Sequence, residues 1–137
     1  MRYARKDFNM SVQTLRFLIA GALFVHAVGH TLGFWMPSSS WLFPKFSEST
    51  LKVVSSMFWI LSTLGFLASF FGFIGFIIPI MWWRSLAVVF AIVSLLGLFL
   101  FWNTWPKFNL IGALSMNIAV LVTQLVLHWP AESLFGR

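Results

Sequence analysis

Charged residues divide this chain into four long uncharged stretches. A helix that crosses the ~30 Å apolar core of a bilayer needs about 20 apolar residues at 1.5 Å per residue. Each stretch can supply one such helix, and we predict membrane spans at about 15–36, 52–74, 83–103 and 108–129. The uncharged stretches lie between Arg16 and Lys45, Lys52 and Arg84, Arg84 and Lys107, and Lys107 and Glu132.

The stretch that follows Lys52 is longer than one span requires. Gly72, Gly75 and Pro79 stand near its end, and all three are turn-forming residues. We therefore predict a single span followed by an apolar turn. Ser47, five residues before Lys52, is the predicted N-cap of this span.

The tryptophan residues favour the same four spans, because indole prefers the headgroup level of a bilayer. Seven of the eight fall at predicted span ends, and only Trp59 lies within a span. Between the first two spans, the Pro-Ser-Ser-Ser run at 37–40 predicts a turn or the start of a short interfacial helix. Trp41 and Phe46, which follow it, are expected to lie on the membrane surface.

A rival interpretation of the first span is a secretory signal, because Arg2, Arg5 and Lys6 resemble the basic region of one. However, the apolar run of about 20 residues is longer than a signal core. It also contains two histidines and ends in Phe-Trp-Met-Pro at 34–37 rather than in small residues. These features favour a retained membrane span.

Composition strengthens the membrane interpretation. Apolar residues make up 60% of the 137 residues and charged residues 9%, against about 45–50% and about 25% in soluble domains. These values exclude ordinary soluble, disordered and collagen-like chains. We predict an all-α integral membrane protein, with an antiparallel four-transmembrane-helix bundle as a single domain over 1–137. The absence of Cys excludes disulfides, cysteine metal sites and thiol nucleophiles.

The distribution of basic residues predicts that both termini face the cytoplasm. With four spans, six basic residues share a side with the termini and three lie on the opposite side. We attribute the net charge of +6 to the cytoplasmic flanks of the spans, which face anionic lipid. No basic stripe with interleaved polar positions is present, so we expect no nucleic-acid partner. The six are Arg2, Arg5, Lys6, Arg16, Arg84 and Arg137, and the three are Lys45, Lys52 and Lys107.

Two histidines within the first span are the main candidates for chemistry. His26 and His30 are four residues apart, which places both rings on one side of a helix. Gly29 and Gly33 form a small-xxx-small face beside them, where another helix can approach closely. We therefore expect the histidines to face a neighbouring helix. Ionisable groups within a span mark functional sites, although a purely packing role for the pair is equally open.

The fourth span supplies possible partners for the histidines. Asn117, Gln124 and His128 are seven and four residues apart and share one face of a continuous helix. His26 and Asn117 both fall near the middle of the membrane, so we predict that they are close neighbours, with His30 nearer the opposite surface from the termini. The candidate binding residues are His26, His30, Asn117 and Gln124. The alternative role of the polar stripe is hydrogen bonding between helices.

Several chemistries can be weighed against these residues. Two histidines on one helix cannot be opposite axial ligands of one haem, and His128 is too far from His26 to complete such a pair. A single axial ligand to haem or a chlorin remains open. A metal held by the pair lacks an evident third ligand, and hydrolase or ion-pathway chemistry lacks an acid at membrane depth. We therefore assign no catalytic residue, metal site or cofactor.

The first span resembles that of small bacterial four-span membrane proteins, and the general plan resembles the DoxX-like group. The likeness rests on Arg-Phe-Leu at 16–18 and on residues 26–34, His-Ala-Val-Gly-His-Thr-Leu-Gly-Phe. It implies a four-helix bundle in a bacterial inner (cytoplasmic) membrane. It assigns no catalytic residue.

Two functional hypotheses follow. The first is a small binding or accessory subunit that holds a lipid, a quinone or a pigment, or that docks on a larger membrane complex. Its partners would be the lipid bilayer and either such a complex or further copies of this chain. The alternative is a membrane redox protein or enzyme that uses His26 and His30. The absence of acids, Cys and large loops favours the first.

Overall fold

The computed structural model describes residues 11–131, which form four long apolar helices packed antiparallel. Short 3₁₀ segments flank α1 and α3, and all four helices are long and apolar enough to cross a membrane. This confirms the predicted fold class of an all-α, multi-pass membrane bundle. The helices are α1 (Val12–His30), α2 (Glu48–Ile74), α3 (Trp83–Leu100) and α4 (Lys107–Leu121).

The orientation of the bundle rests on the charge count alone. Four of the residues in that count, Arg2, Arg5, Lys6 and Arg137, lie outside the described residues. We call the end that carries the α1–α2 loop and the α3–α4 turn the loop end. The opposite end, where the described chain begins and ends, is the terminal end.

Helix α2 is central, because it packs against both α1 and α3 along its length. Its buried face alternates small and large residues in a seven-residue repeat: Ser55, Ser62 and Ser69 are fully buried, and an aromatic residue follows each by four positions. Such a repeat is typical of helices that pack side by side at a small crossing angle. The aromatic residues are Trp59, Phe66 and Phe73.

Close helix packing also depends on glycines that face aromatic rings. A Cβ atom on Gly33 would lie 2.7 Å from the Trp59 ring, and one on Gly97 would lie 2.9 Å from Phe58. The predicted glycine face of α1 is therefore confirmed at Gly33. It is wrong at Gly29, where an added Cβ meets nothing within 4 Å. The reason is that Gly29 faces an open space between α1 and α4, which make few contacts with each other.

The ends of α2 are formed as predicted. Ser47 caps its N-terminus, and its hydroxyl oxygen accepts a hydrogen bond from the backbone N–H of Thr50 at 3.2 Å. Gly75 ends the helix in the left-handed region with a φ of 74°. This conformation suits glycine, and it begins the apolar turn that leads to α3.

The α1–α2 loop is hydrogen-bonded to the helix ends, while Trp41 and Phe46 remain exposed, so their position on the membrane surface stays a prediction. Ser40 Oγ and Trp41 Nε1 donate to the carbonyls of Leu100 and Phe99 at 2.7 and 2.9 Å. These carbonyls are at the C-terminus of α3, where backbone acceptors lack helical partners. Lys52 Nζ donates to the carbonyls of Phe34 and Met36, both at 2.7 Å. The loop therefore closes the loop end of the bundle.

Helix α4 departs from the predicted continuous span. After Leu121 the backbone forms a π-helical turn, Val122–Val126, and the helical structure ends there rather than near Trp129. His128 is exposed and has a φ of 47°. His128 therefore lies beyond the helix and apart from the buried Asn117 and Gln124.

Candidate binding groove

Helices α1 and α4 are joined by a direct polar contact. His26 Nε2 lies 3.0 Å from Asn117 Oδ1, within hydrogen-bond distance. Asn117 is fully buried and His26 is partly buried. The prediction that these residues are close neighbours is confirmed. His26 and Asn117 meet because α1 and α4 run antiparallel and place both residues at a similar depth.

The contact continues into a chain of four side chains. Asn117 Nδ2 donates to Ser94 Oγ at 2.7 Å, and Ser94 Oγ lies 3.2 Å from His30 Nε2. The chain therefore links α1, α3 and α4 in the order His26, Asn117, Ser94, His30. Sequence patterns do not single out Ser94. Its only signal is a hydroxyl in the middle of the third span, which also contains Ser85 near its start.

Aromatic residues of α2 hold the two imidazoles. The His30 ring lies between Trp59 and Phe66 and is nearly parallel to both, at centroid distances of 6.3 and 5.8 Å. The His26 ring meets Phe66 edge-on at 4.5 Å and His30 at 4.8 Å. His30 is only 2% exposed and lies nearer the loop end than His26. The orientation of both rings is thus fixed by packing as well as by hydrogen bonds.

One side of the histidine pair borders an open groove between α1 and α4. The groove has a volume of about 470 Å³ and lies toward the loop end. Gly29 and Gly112 have no atom within 4 Å of an added Cβ, so these glycines leave the space open. Val25 and Phe108 on its rim are 68% and 88% exposed, so the groove opens toward the surrounding bilayer. The lining residues are Ala22, Val25, His26, Gly29, His30, Leu32, Trp105, Phe108, Asn109, Gly112, Ala113 and Met116.

The groove is apolar except at its floor. None of the described residues that line it is charged, and its polar side chains are His26, His30, Trp105 and Asn109. Trp105 is 7% exposed and packs edge-on against Trp59 at 5.1 Å, so it faces the bundle rather than the headgroup region. Such a site suits a ligand that is apolar over most of its length and polar at one end.

The structure does not bring Gln124 to this groove. Gln124 lines a separate cavity of about 150 Å³ toward the terminal end, where its Nε2 donates to the Trp129 carbonyl at 2.8 Å. Gln124 lies seven residues beyond Asn117, which is about 10 Å along a helix axis at 1.5 Å per residue. Of the four predicted binding residues, the structure joins His26, His30 and Asn117 and leaves Gln124 apart.

Metal ligands are sparse in the described part of the chain. No group of three His, Cys, Asp or Glu side chains that could hold a metal ion occurs between residues 11 and 131. Both histidine Nε2 atoms are instead engaged in the hydrogen-bond chain.

Comparisons with protein-family models, with curated proteins and with solved structures give no match to this chain. The resemblance of the first span to small bacterial four-span proteins, and of the general plan to the DoxX-like group, therefore stays a prediction.

Proposed function

We propose that this protein is a membrane binding subunit whose α1–α4 groove holds a bilayer-soluble amphiphile, such as a lipid or a quinone. The observation that carries the proposal is the position of His26 and His30 at the floor of an apolar groove that opens toward the bilayer. The apolar part of the ligand would lie between the helices, and its polar group would meet the imidazoles.

The energetic cost of the arrangement supports a binding role. Polar groups within a membrane are expensive unless they are paired, and two imidazoles beside an open groove are not required for packing alone. Gly29 and Gly112 support the same conclusion, because glycine weakens a helix where no neighbour needs the space. A ligand that enters the groove would account for both features.

The location of the protein is part of this proposal. Its helices make it a multi-pass membrane protein. The bacterial cytoplasmic membrane, with both termini on the cytoplasmic side, agrees with the basic residues of the sequence and with the resemblance of the first span.

The test is to identify what the groove retains. The protein is purified in native-lipid nanodiscs, and the amphiphiles that remain bound after transfer to detergent are identified by mass spectrometry. We expect a defined species that is lost when Gly29→Leu or Gly112→Leu fills the groove. Gly21→Leu is the matched control, because Gly21 also faces open space but does not line the groove. Equal retention by all variants would contradict the proposal.

A helix of a larger complex is a second candidate occupant. The small residues on both walls of the groove, Gly29 on α1 with Gly112 and Ala113 on α4, would also allow close helix approach. Crosslinking from an introduced Gly112→Cys in native membranes discriminates between the two. A discrete protein adduct favours docking on a complex or on a second copy, whereas labelling by a lipid-borne reagent favours the amphiphile.

The redox alternative has less support from the geometry. An axial haem or chlorin ligand commonly uses one ring nitrogen of histidine, and here the Nε2 atoms of both rings already bond to Asn117 and Ser94. Ligation through Nε2 would break this chain. An absorption spectrum of the purified protein is the direct test, because a Soret or chlorin band would restore the redox or pigment hypothesis.

A further inference from the structure

The α1–α4 groove adjoins the cavity of about 150 Å³ that Gln124 lines, which we call the terminal cavity. Ala22 on α1 and Met116 on α4 line both spaces. The other groove residues on these two helices lie on the loop-end side of Ala22 and Met116. From the same two residues the terminal cavity extends toward Ile19 and Val120, at the terminal end. The groove and the cavity therefore follow each other along the space between α1 and α4.

Met116 is the larger of the two side chains at this boundary. It is half-buried, and a methionine side chain is unbranched with three rotatable bonds, so it can adapt to the space around it. Ala22, on the opposite helix, contributes only a methyl group. Since α1 and α4 make few contacts with each other, the conformation of Met116 determines how widely the groove and the terminal cavity communicate.

The terminal cavity suits a hydrocarbon chain better than water. An apolar cavity of about 150 Å³ takes up benzene, so a space of this volume holds about six carbon atoms. The Thr123 hydroxyl already donates to the Ala119 carbonyl at 2.7 Å, and Gln124 Nε2 donates to the Trp129 carbonyl. Among the described residues of the lining, Gln124 Oε1 is the one buried side-chain polar atom without a partner. A buried water needs two to four polar partners.

We propose, on the basis of the proposed function, that the hydrocarbon chain of the ligand passes Met116 and fills the terminal cavity. Ile19 lies seven residues from His26, which is about 10 Å along α1. An extended chain advances about 1.2 Å per bond, as a polypeptide advances about 3.6 Å over the three bonds of a residue. A chain of about twelve carbons therefore reaches from the imidazoles through the terminal cavity.

The consequence is selection by chain length, with Met116 as the specificity-determining residue. An amphiphile with a long chain gains dispersion contacts with the lining of the terminal cavity. An amphiphile whose chain ends before Met116 leaves that lining without these contacts. The bilayer offers little compensation for the difference in packing, because lipid chains are fluid whereas the cavity has a fixed shape.

The probes are two photoreactive forms of 1-dodecylglycerol, with a diazirine either beside the ether oxygen or next to the end of the chain. Each is irradiated in nanodiscs that contain the protein, and the labelled residues are mapped by mass spectrometry. The diazirine beside the ether should label groove residues such as Val25 and Gly29. The diazirine at the chain end should label Ile19, Val120 or their neighbours in the terminal cavity.

Substitution at the boundary should block the path of the chain. Met116→Trp should move the chain-end labels out of the terminal cavity and lower the retention of radiolabelled 1-dodecylglycerol about tenfold, because the cavity lining stays unfilled. Ala22→Leu narrows the same passage from α1 and should act in the same direction, whereas Met116→Ala should preserve or increase retention. Ile118→Trp is the matched control on α4, because Ile118 is 52% exposed and lines neither space.

The outcomes separate this proposal from the proposed function. Chain-end labels confined to the groove of the parent protein would overturn the path past Met116, and groove labels from the other probe would leave amphiphile binding intact. Retention that neither Met116→Trp nor Ala22→Leu reduces, for 1-dodecylglycerol or for a native amphiphile, would also overturn the path. If the protein retained no amphiphile over empty nanodiscs, the proposed function itself would fail.

Discussion

Asn117 is a central member of the polar chain, because its amide contacts His26 on one side and Ser94 on the other. Each interhelical hydrogen bond in a membrane protein contributes about 0.6 kcal/mol on average. The loss of a central member costs more, because it leaves two buried groups without partners.

We expect Asn117→Leu to lower the free energy of unfolding by about 2 kcal/mol, since His26 and Ser94 both lose a partner. The measurement is equilibrium unfolding in mixed detergent micelles. Asn103→Leu is the control, because Asn103 is exposed in the α3–α4 turn. Equal stability of the Asn117 variant and the parent would show that the chain is not a structural element.

At the scale of residues, the sequence revealed only part of this chain. Spacing and depth were sufficient to pair His26 with Asn117. Ser94 could not be identified, because a serine within an apolar helix often bonds to its own backbone, as Ser69 does to the Gly65 carbonyl at 2.9 Å. Spacing also groups Gln124 with Asn117, but a shared face does not imply a shared site, because seven residues separate them by about 10 Å along the axis.

Helix packing depends on where a glycine faces a neighbour and where it faces a space. Gly33 lies against the Trp59 ring, whereas Gly29 borders the groove. The two residues are one helical turn apart, and the sequence does not distinguish them. The distinction arises from the separation of α1 and α4.

Substitution by alanine should have different effects on stability at Gly33 and at Gly29. Gly33→Ala should destabilise the protein by about 1–3 kcal/mol, because its Cβ would lie 2.7 Å from an indole that is itself fully buried. Gly29→Ala should be neutral or stabilising by up to about 1 kcal/mol, since alanine favours the helix and meets no neighbour. Thermal unfolding of both variants is the measurement. The reverse order would mean that the groove is closed.

Lys52 offers a test of the loop end. Its ammonium group donates to the carbonyl of Phe34, within the 3₁₀ segment after α1, and to that of Met36, directly after this segment. Lys52→Met should leave both acceptors unpaired, and the α1–α2 loop should become more sensitive to limited proteolysis, with a loss of about 1–3 kcal/mol in stability. Lys45→Met, an exposed position in the same loop, should change neither property.

At the scale of elements, charged residues located the helices well, because a charge inside the bilayer is costly and therefore marks a boundary. The loop was harder to predict. The unpaired carbonyls at the end of α3 provide acceptors for Ser40 and Trp41, and the sequence of the loop does not reveal them.

For the whole molecule, an even number of spans places the termini together and the α1–α2 loop opposite them. A reporter fused after Arg137 should be active in the cytoplasm, and one inserted after the exposed Lys45 should be active outside. Activity of both reporters on one side would contradict the four-span topology. If the fusion after Arg137 were active outside and the insertion after Lys45 in the cytoplasm, the four-span bundle would stand with the opposite orientation.

The lateral opening of the groove determines how a ligand would enter it. Because the groove opens sideways past the exposed Val25 and Phe108, exchange would proceed by lateral diffusion within the bilayer. Occupancy would then follow the mole fraction of ligand in the membrane and not its concentration in water. A titration at fixed total ligand should give weaker apparent binding as more lipid is added.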